Sequence, residues 1–504
     1  MDRKRAKKIR NARVIMTNIF MGLSVIAIVF VLMLLAMGFS FNENGSLEQS
    51  GLLQISSNPS GAVVEIDGKS QFSRTTINKM LSSGEHHIKI TKSGYDTWEK
   101  DVRIDSGLLT NINWVRLFPI SPATEKIASF SDFRLISFSP DRKSLLYGEY
   151  DSASLTLMNI QDENTPSKKI EIAKLLNIAS KETARSANIK IVSWNESGDK
   201  VIMTWTDTDE NVYWYLADLE KPENSINLTA KFGYTFSTIL AENDSASKLW
   251  AVENGNLHLI DLGNLTIHKT IISGIESIAN NHDTVIYVVT DALTQTRSIS
   301  IFREGETGSS IVRDLTNVNV ANITMTTGTY WGEDWVAYSL DKTIYLLGGK
   351  YPSFDKPTKN PLKSILKRDL EYAPTIISRD TEKHIVVFSN GKDRTAFDFE
   401  TKDYFDSSTG VTVQANWLDN YLLWYVESNK LFVQDFDGNN LRELVENVDG
   451  TLPVCLSENN RWLYYFDTIE KQVEASETES EESGSEPQTE TVTEHILRRK
   501  KLEI

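Results

Sequence analysis

The sequence predicts an all-β protein attached to one N-terminal transmembrane helix. Three observations predict this class. Val14–Asn42 contains no charged residue, residues 51–119 contain short alternating strands between turn residues, and phrases of strand and turn then recur to the C-terminus. At 504 residues the chain is long enough for two or three domains with large cores.

The first element is the apolar stretch. A helix rises about 1.5 Å per residue and needs roughly 20 apolar residues to cross a bilayer, a length that Ile19–Gly38 supplies. We predict a cytoplasmic basic head at 1–13, an uncleaved signal-anchor helix at 14–41 and a spacer at 42–50, with the C-terminus extracytoplasmic. The small residues of Ala36-Met37-Gly38 leave cleavage as the alternative, although the run exceeds the 7 to 15 residues of a typical signal peptide.

Charge divides the chain at the same place. Seven basic residues and one acidic residue give the first 13 residues a charge of +6. Because the whole chain carries −16, the rest of it carries −22. This acidity argues against nucleic acid as a partner. Cys455 is the only cysteine, which excludes an intramolecular disulfide, and its apolar surroundings predict a buried, inert thiol.

Residues 51–119 predict a small all-β domain. Asp67-Gly68 suits a tight hairpin turn, because glycine accepts a positive φ at little steric cost. Tyr95 and Trp98 are predicted core aromatics. His86 and His87 are neighbours on a strand and point to opposite faces, so a structural role is favoured over metal binding.

The motifs of this domain carry a resemblance: Pro59-Ser60-Gly61-Ala62-Val63-Val64-Glu65-Ile66-Asp67-Gly68-Lys69, Ser83-Gly84-Glu85-His86 and Lys92-Ser93-Gly94-Tyr95 with Trp98. Together they are similar to the PEGA domain family. Ser60 replaces the family's acidic residue, and Thr75-Thr76 stands where Thr-Pro is usual. The resemblance implies a β-sandwich, a prokaryotic and usually surface-exposed setting beside a membrane anchor, and no catalytic residue.

One sequence pattern then recurs across residues 120–504: a short strand, a polar turn and a second apolar strand. Its copies are anchored at Ser139, Asn195, Asn243, Asn281, Trp331, Ser378, Trp417 and Ser457, at intervals of 56, 48, 38, 50, 47, 39 and 40 residues. Periods of about 40 to 50 residues, built of strand and turn, indicate a β-propeller, here with seven or eight blades.

Two copies carry a second resemblance. Phe138-Ser139-Pro140-Asp141 and the hairpin Val433–Asn439 resemble the repeats of TolB-like and WD-type propellers and of the propellers on prolyl-oligopeptidase-type enzymes. Nine tryptophans are predicted to pack between blades: Trp194, Trp205, Trp214, Trp250, Trp331, Trp335, Trp417, Trp424 and Trp462. A saccharide-binding platform made from a few of them is the alternative.

Residues 470–490 contain eight glutamates, one lysine and few apolar residues, which predicts a disordered acidic insertion. The β-prone segment that begins at Thr491 is predicted to return as the last strand of the final blade. Calcium capture is disfavoured, because the glutamates are irregularly spaced.

No motif for a catalytic nucleophile, zinc, nucleotide phosphate or dinucleotide occurs in the sequence. We therefore predict no catalytic, cofactor-binding or metal residue, and the sequence does not single out a binding residue. The predicted function is a membrane-anchored, non-catalytic binding or scaffold protein of the prokaryotic cell envelope, with an envelope protein or glycan as partner. The alternative is an envelope hydrolase or lyase with a site in the propeller funnel, and the 13-residue head disfavours a signalling subunit.

Overall fold

The computed structural model describes residues 2–36, 38–41, 47–131, 133–150, 152–162, 164–178, 185–242, 245–318, 320, 322–474 and 489–503. The chain divides into two compact units, Met1–Pro122 with Glu503–Ile504, and Ala123–Leu502. Strands dominate both units behind one long N-terminal helix, which confirms the predicted all-β class.

The first unit begins with helix α1 (Asp2–Ala36). Its segment Arg13–Leu34 has a mean hydropathy of 2.5 and no buried residue, a length and composition that suit a membrane anchor or a signal sequence. The helix bounds differ from the predicted signal-anchor bounds of 14–41. The helix already includes most of the basic head, and it ends before Gly38, whose φ of +79° breaks the helical path.

After the helix, β1 (Phe39–Phe41) pairs with β2 (Leu47–Gln49), and residues 42–46 of the predicted spacer lie outside the described residues. Seven further strands form two sheets: β3 (Gly51–Asn58), β4 (Val63–Ile66), β5 (Lys69–Arg74), β6 (Ile77–Leu81), β7 (Gly84–Thr91), β8 (Trp98–Ile104) and β9 (Leu109–Arg116). The sheet orders are β5-β4-β7-β8 and β6-β3-β9.

The two sheets share one apolar core. Buried residues alternate along β3 and β7, as expected for strands with one face inward. Trp98 is fully buried and Tyr95 nearly so, as predicted. His86 hydrogen-bonds Asp67 at 2.7 Å and the neighbouring His87 hydrogen-bonds Asp101 at 2.7 Å, so the two imidazoles have separate partners.

The second unit starts with β10 (Thr124–Phe130) and continues as successive antiparallel sheets, here called sheets I to VIII. Sheet I contains β11 (Phe133–Phe138), β12 (Ser144–Glu149), β13 (Ser154–Asn159) and β14 (Lys168–Glu171). Sheet II contains β15 (Ile189–Trp194), β16 (Lys200–Thr206), β17 (Val212–Asp218) and β18 (Ile226–Asn227). Sheet III contains β19 (Phe236–Ala241), β20 (Lys248–Glu253), β21 (Asn256–Asp261), β22 (Thr266–Ile267) and β23 (Ile272–Ser273).

Sheet IV contains β24 (Ile275–Asn281), β25 (Thr284–Thr290), β26 (Arg297–Arg303) and β27 (Ser310–Asp314). Sheet V contains β28 (Ile323–Tyr330), β29 (Glu333–Leu340), β30 (Thr343–Gly349) and β31 (Lys363–Asp369). Sheet VI contains β32 (Ile376–Arg379), β33 (Ile385–Ser389), β34 (Asp393–Asp398) and β35 (Tyr404–Ser408). Sheet VII contains β36 (Asn416–Trp417), β37 (Leu422–Glu427), β38 (Lys430–Asp435) and β39 (Arg442–Glu446).

Sheet VIII joins the two ends of the unit. It contains β40 (Cys455–Leu456), β41 (Trp462–Glu474) and β42 (Thr489–Lys501), and β10 pairs antiparallel with β42 as its outer strand. Two short helices, α2 (Ile172–Leu175) and α3 (Leu228–Phe232), follow the last strands of sheets I and II. Because the first strand of the unit completes its last sheet, the series is closed into a ring.

Neighbouring sheets pack face to face around this ring. Apolar clusters join sheets I and II, II and III, III and IV, IV and V, V and VI, and VIII and I. Phe405 packs on Phe436 between sheets VI and VII, and the N–H of Asp449 donates to the carbonyl of Phe466 between VII and VIII, at 3.0 Å. A closed ring of antiparallel sheets, seven of four strands and one of five on the described residues, is a β-propeller.

The two ends of the predicted acidic insertion at 470–490 lie in β-strands. Glu470–Glu474 continues β41, and its residues pair with Thr489–Thr493 of β42. Residues 475–488 of the insertion lie outside the described residues. Cross-strand hydrogen bonding therefore extends into sequence whose composition alone predicts a loop.

Candidate functional site

Several of the AB turns, which join the first two strands of each sheet in the second unit, are closed by the same type of side-chain hydrogen bond. In four of them, a buried side-chain oxygen accepts a hydrogen bond from the backbone N–H five residues later, which closes the turn. The pairs are Ser139 and Ser144 (2.9 Å), Asn195 and Lys200 (2.8 Å), Asp380 and Ile385 (2.7 Å), and Ser457 and Trp462 (3.0 Å).

Three predicted repeat anchors, Ser139, Asn195 and Ser457, are these capping residues. In sheets VI and VII the capping carboxylates belong to Asp380 and Asp419, each two residues after the predicted anchor. The anchor Asn243 lies outside the described residues.

AB turns and the turns between third and fourth strands, here called CD turns, lie at the same edge of each sheet because the strands alternate in direction. Side chains connect these turns around the edge. Arg142 of sheet I donates to Asn460 of sheet VIII at 2.7 Å, and Lys248 of sheet III pairs with Glu304 of sheet IV at 2.6 Å. Turns of neighbouring sheets are therefore in contact at this edge of the ring.

A groove of about 770 Å³ opens at this edge between sheets V and VI. Five of its residues belong to the AB hairpin of sheet V and three to the CD turn of sheet VI. It is lined by Tyr330, Trp331, Glu333, Asp334, Trp335, Gly348, Ile365, Phe399, Glu400 and Lys402. Its volume lies within the roughly 300–1,000 Å³ of known small-ligand sites.

Trp331 stands out on the rim of the groove. Its side chain is 90% exposed, which corrects the prediction that it packs between blades. It occupies the first position of a two-residue hairpin turn with φ of +47°, and Gly332 follows at +73°. Both angles are those of a type I′ turn, which favours Asn and Gly, so a tryptophan there is conformationally costly.

The floor of the groove is aromatic and rigid. The ring of Trp335 stacks on Phe399 with centroids 4.6 Å apart and an interplanar angle of 21°. Trp335 is almost fully buried, and its indole N–H donates to the carbonyl of Lys383 at 2.8 Å. Sheets V and VI are thereby held together beneath the exposed Trp331.

The other predicted packing tryptophans are buried or partly buried. In four of them the indole N–H crosses to a neighbouring sheet, as it does in Trp335. The pairs are Trp194 with Ser137, Trp214 with Phe236, Trp250 with His282, and Trp417 with Ser378. These five indoles therefore bridge neighbouring blades, as predicted, and Trp331 is the exposed one among the nine.

Negative charge surrounds the groove. The hydroxyl of Tyr330 donates to Glu400 Oε2 at 3.2 Å. Burial, together with the charges of Glu400, Asp398 and Glu382, raises the pKa of Tyr330, so the phenol stays protonated. Glu333 and Glu400 are exposed on the walls, whereas Lys402 is the one basic residue in the lining.

A buried carboxylate–imidazole pair lies beside the groove. Asp380 Oδ2 is 2.8 Å from His384 Nδ1, and the imidazole packs against the rings of Tyr330 and Tyr421. His384 Nε2 is buried and has no hydrogen-bond partner among the described residues. A hydrolytic base would need a nucleophile there, and no described hydroxyl or thiol bonds this nitrogen.

In the first unit, His86 lies between Asp67 and Ser82. Its Nδ1 is 2.7 Å from Asp67 Oδ2, while its Nε2 is 2.9 Å from the carbonyl of Ser82 and 3.5 Å from the hydroxyl. A carbonyl oxygen can only accept a hydrogen bond, so Nε2–H donates to Ser82, and this nitrogen is not available as a base for the hydroxyl. The arrangement therefore differs from a catalytic triad.

A carboxyl pair occupies the same edge between sheets III and IV. Burial, with the hydrogen bond to Glu304 and its charge, raises the pKa of Glu242 to about 7. Burial opposes ionisation of Glu304 too, but its hydrogen bonds with Glu242 and Lys248 lower its pKa overall. Across the described ranges, no three His, Cys, Asp or Glu side chains are grouped to hold a metal ion.

The geometry defines the class of the molecule: along the chain, an apolar helix is followed by a small β-sandwich and then by a closed β-propeller. Residues 50–116 match the PEGA domain family, which confirms the resemblance read from the sequence. No curated protein matches the chain.

Solved structures similar to the chain have low sequence identity. The Dos1 propeller is 11% identical with a TM-score of 0.41, covering 74% of this chain and 94% of its own. Dipeptidyl peptidase 4 of Porphyromonas gingivalis is 10% identical with a TM-score of 0.46, covering 68% and 56%. Kluyveromyces lactis Hsv2 is 10% identical with a TM-score of 0.36, covering 68% and 94%.

Proposed function

We propose that the protein is a non-catalytic binding protein of a prokaryotic cell envelope, and that the groove between sheets V and VI is its binding site. Helix α1 anchors it in the membrane, with the head 1–13 in the cytoplasm and the sandwich at 51–119 and the propeller at 120–504 outside. The partner is an envelope component, a protein or a glycan, and not nucleic acid. The exposed Trp331, held on a costly turn over an aromatic floor, is the observation that carries the proposal.

Binding explains Trp331 better than folding does. A tryptophan buries about 150–250 Å² when it packs, and this indole leaves almost all of that area in water. Exposed aromatic rings beside polar groups are typical of recognition surfaces. The proposal therefore predicts that a partner covers Trp331.

Site-specific photocrosslinking tests the binding site. A photoreactive residue replaces Ile365, which lines the groove, or Leu293, which is 95% exposed in sheet IV between β25 and β26. We expect one discrete adduct from position 365, lost when Trp331→Ala is added, and none from position 293. Equal adducts from both positions, or no effect of Trp331→Ala, would contradict the proposal.

The orientation has a separate test that uses the single cysteine. Burial raises the pKa of the Cys455 thiol to about 12, so the native chain is a nearly unreactive background for labelling. Phe72→Cys places a thiol at a fully exposed position of β5. A membrane-impermeant maleimide should label it in intact cells, whereas Asp2→Cys should be labelled only after lysis. The reverse pattern would refute the topology.

A further inference from the structure

The groove has two features that together select a ligand chemistry. Trp331 presents an open indole face, and the carboxylates of Glu333 and Glu400 lie exposed in the same lining. An indole is the best aromatic partner for a cation, because the negative face of its ring attracts positive charge. The carboxylates add charge-assisted acceptors for an ammonium or guanidinium group.

Carboxylates outnumber basic residues in the lining of the groove. Two lysines outside the lining keep their charge but are held by neutral acceptors: the ammonium of Lys350 donates to the carbonyl of Gly332, and that of Lys383 donates to Asn281 Oδ1 at 2.9 Å. Lys402 is the one cation among the lining residues, against Glu333, Asp334 and Glu400. The Asp334 carboxylate accepts from the hydroxyl of Thr329 and the N–H of Tyr351, so Glu333 and Glu400 are the acceptors that face a ligand.

We propose that the groove binds a basic peptide segment of a partner protein, with one Lys or Arg side chain over Trp331 and its charge near Glu333 and Glu400. This inference rests on the proposed function and names its ligand. Charge complementarity carries it, because a glycan hydroxyl is a neutral donor, whereas a Lys or Arg side chain brings a full positive charge to the same carboxylates. The chain beyond residue 13 carries −22, which also favours a basic partner.

Selection from a random dodecapeptide library tests the chemistry. The full-length protein is held in nanodiscs of zwitterionic phosphatidylcholine, so that the lipid attracts no basic peptide. We expect selected peptides to share one Lys or Arg, and replacement of that residue by Gln to weaken binding at least tenfold. Binding should also fall as salt rises from 50 to 500 mM.

Variants locate the site. Trp331→Ala should weaken the selected peptides at least fivefold, and the double change Glu333→Gln, Glu400→Gln should weaken them similarly and flatten the salt dependence. Glutamine at 400 keeps an acceptor for the Tyr330 hydroxyl, so the wall is preserved. Leu293→Ala is the matched control, because it removes an equally exposed apolar side chain outside the groove, and it should leave binding unchanged.

Each other outcome overturns the inference and is distinguishable from failure of the proposed function. Peptides that depend on Trp331 but lack a shared basic residue would refute the cationic ligand and leave the binding site in place. Trp331-dependent binding on a glycan array, without peptide binding, would do the same. If neither peptides nor glycans bind and position 365 gives no crosslink, both proposals fail.

Discussion

Asp380 offers the sharpest test of how the turns hold the propeller together. The side chain is 2% exposed and accepts four hydrogen bonds. Oδ1 accepts from the N–H groups of His384 (2.8 Å) and Ile385 (2.7 Å), and Oδ2 accepts from the N–H of Glu382 (2.9 Å) and lies 2.8 Å from His384 Nδ1. Asp380→Ala removes every one of these acceptors from a site that water barely reaches.

The expected loss follows from that count. A buried N–H left without an acceptor costs about 1–3 kcal/mol, and removal of one partner of a buried charge pair costs about 3–5 kcal/mol. Because these effects overlap in one small turn, we expect Asp380→Ala to lower the free energy of unfolding by about 3–5 kcal/mol. Asp380→Ser should cost about half as much, since serine closes the equivalent turns at Ser139 and Ser457.

The difference should depend on pH through His384. Burial lowers the pKa of His384. The hydrogen bond and charge of Asp380, with the charges of Asp398 and Glu382, together raise it by more, so the net pKa lies above 6.5. The stability from a raised histidine pKa is fully present below the unfolded value of about 6.5 and is lost as pH rises through the folded value. The gap between wild type and Asp380→Ala should therefore be larger at pH 6 than at pH 9.

Thermal unfolding of the full chain in detergent, followed by tryptophan fluorescence, measures the first effect. For a unit as large as Ala123–Leu502, about 1 kcal/mol corresponds to roughly 1–1.5 °C, so a fall in Tm of about 3–7 °C is expected. Amide hydrogen exchange of residues 376–390 should accelerate at the same time. A change in Tm below 1 °C at both pH values, with unchanged exchange, would refute the reasoning.

Three further changes test other parts of the structure. The pKa of Glu242 is raised from about 4.5 to about 7, so the free energy of unfolding should fall as pH rises between these two values. In urea titrations, Glu242→Gln should therefore be more stable than wild type at pH 8, and its stability should depend less on pH. An unchanged pH dependence would contradict the assignment. Gly274→Ala should lower the free energy of unfolding by several kcal/mol, because its Cβ would lie 2.1 Å from the carbonyl oxygen of Thr290. Gly305→Ala, at a similar φ but in open space, should lower it by about 1 kcal/mol. Equal losses of stability would show that the structure relaxes around the clash. Trp331→Asn should leave Tm unchanged or raise it by relieving the turn while abolishing binding, and a clear fall in Tm would mean that the indole is structural.

Much of the fold could be predicted because its signals are local. The alternating strands and the turn at Asp67-Gly68 indicated the sandwich, and the capping residues Ser139, Asn195 and Ser457 set the repeat. The number of sheets stayed open between seven and eight in the sequence, since the copies near Asn281 and Trp331 are irregular. The structure has eight sheets in the second unit across its described residues.

The groove could not be predicted, because it is assembled from two sheets. Trp335 reaches Phe399, 64 positions later in the chain, and no sequence period relates them. One signal was present: Trp331-Gly332 stands in a hairpin turn, whereas the two-residue turn Asn254-Gly255 of sheet III has a small polar residue at the first position. A large aromatic residue at a turn position that favours asparagine indicates exposure, and the packing role predicted from its spacing ignored that geometry.

Sheet V is also the place where the propeller tolerates such a turn most easily. The register of β28 and β29 runs without a shift through eight pairs, from Ile323 with Leu340 to Tyr330 with Glu333. The first strand pairs of sheets I to IV each contain a register shift, and those of sheets VI to VIII are shorter. A long unbroken ladder fixes the hairpin without help from its turn residues, because the pairing already determines the register. The turn of sheet V is therefore free to carry Trp331 in a strained conformation, and a binding residue can reside there without the capping oxygen that closes turns elsewhere in the ring.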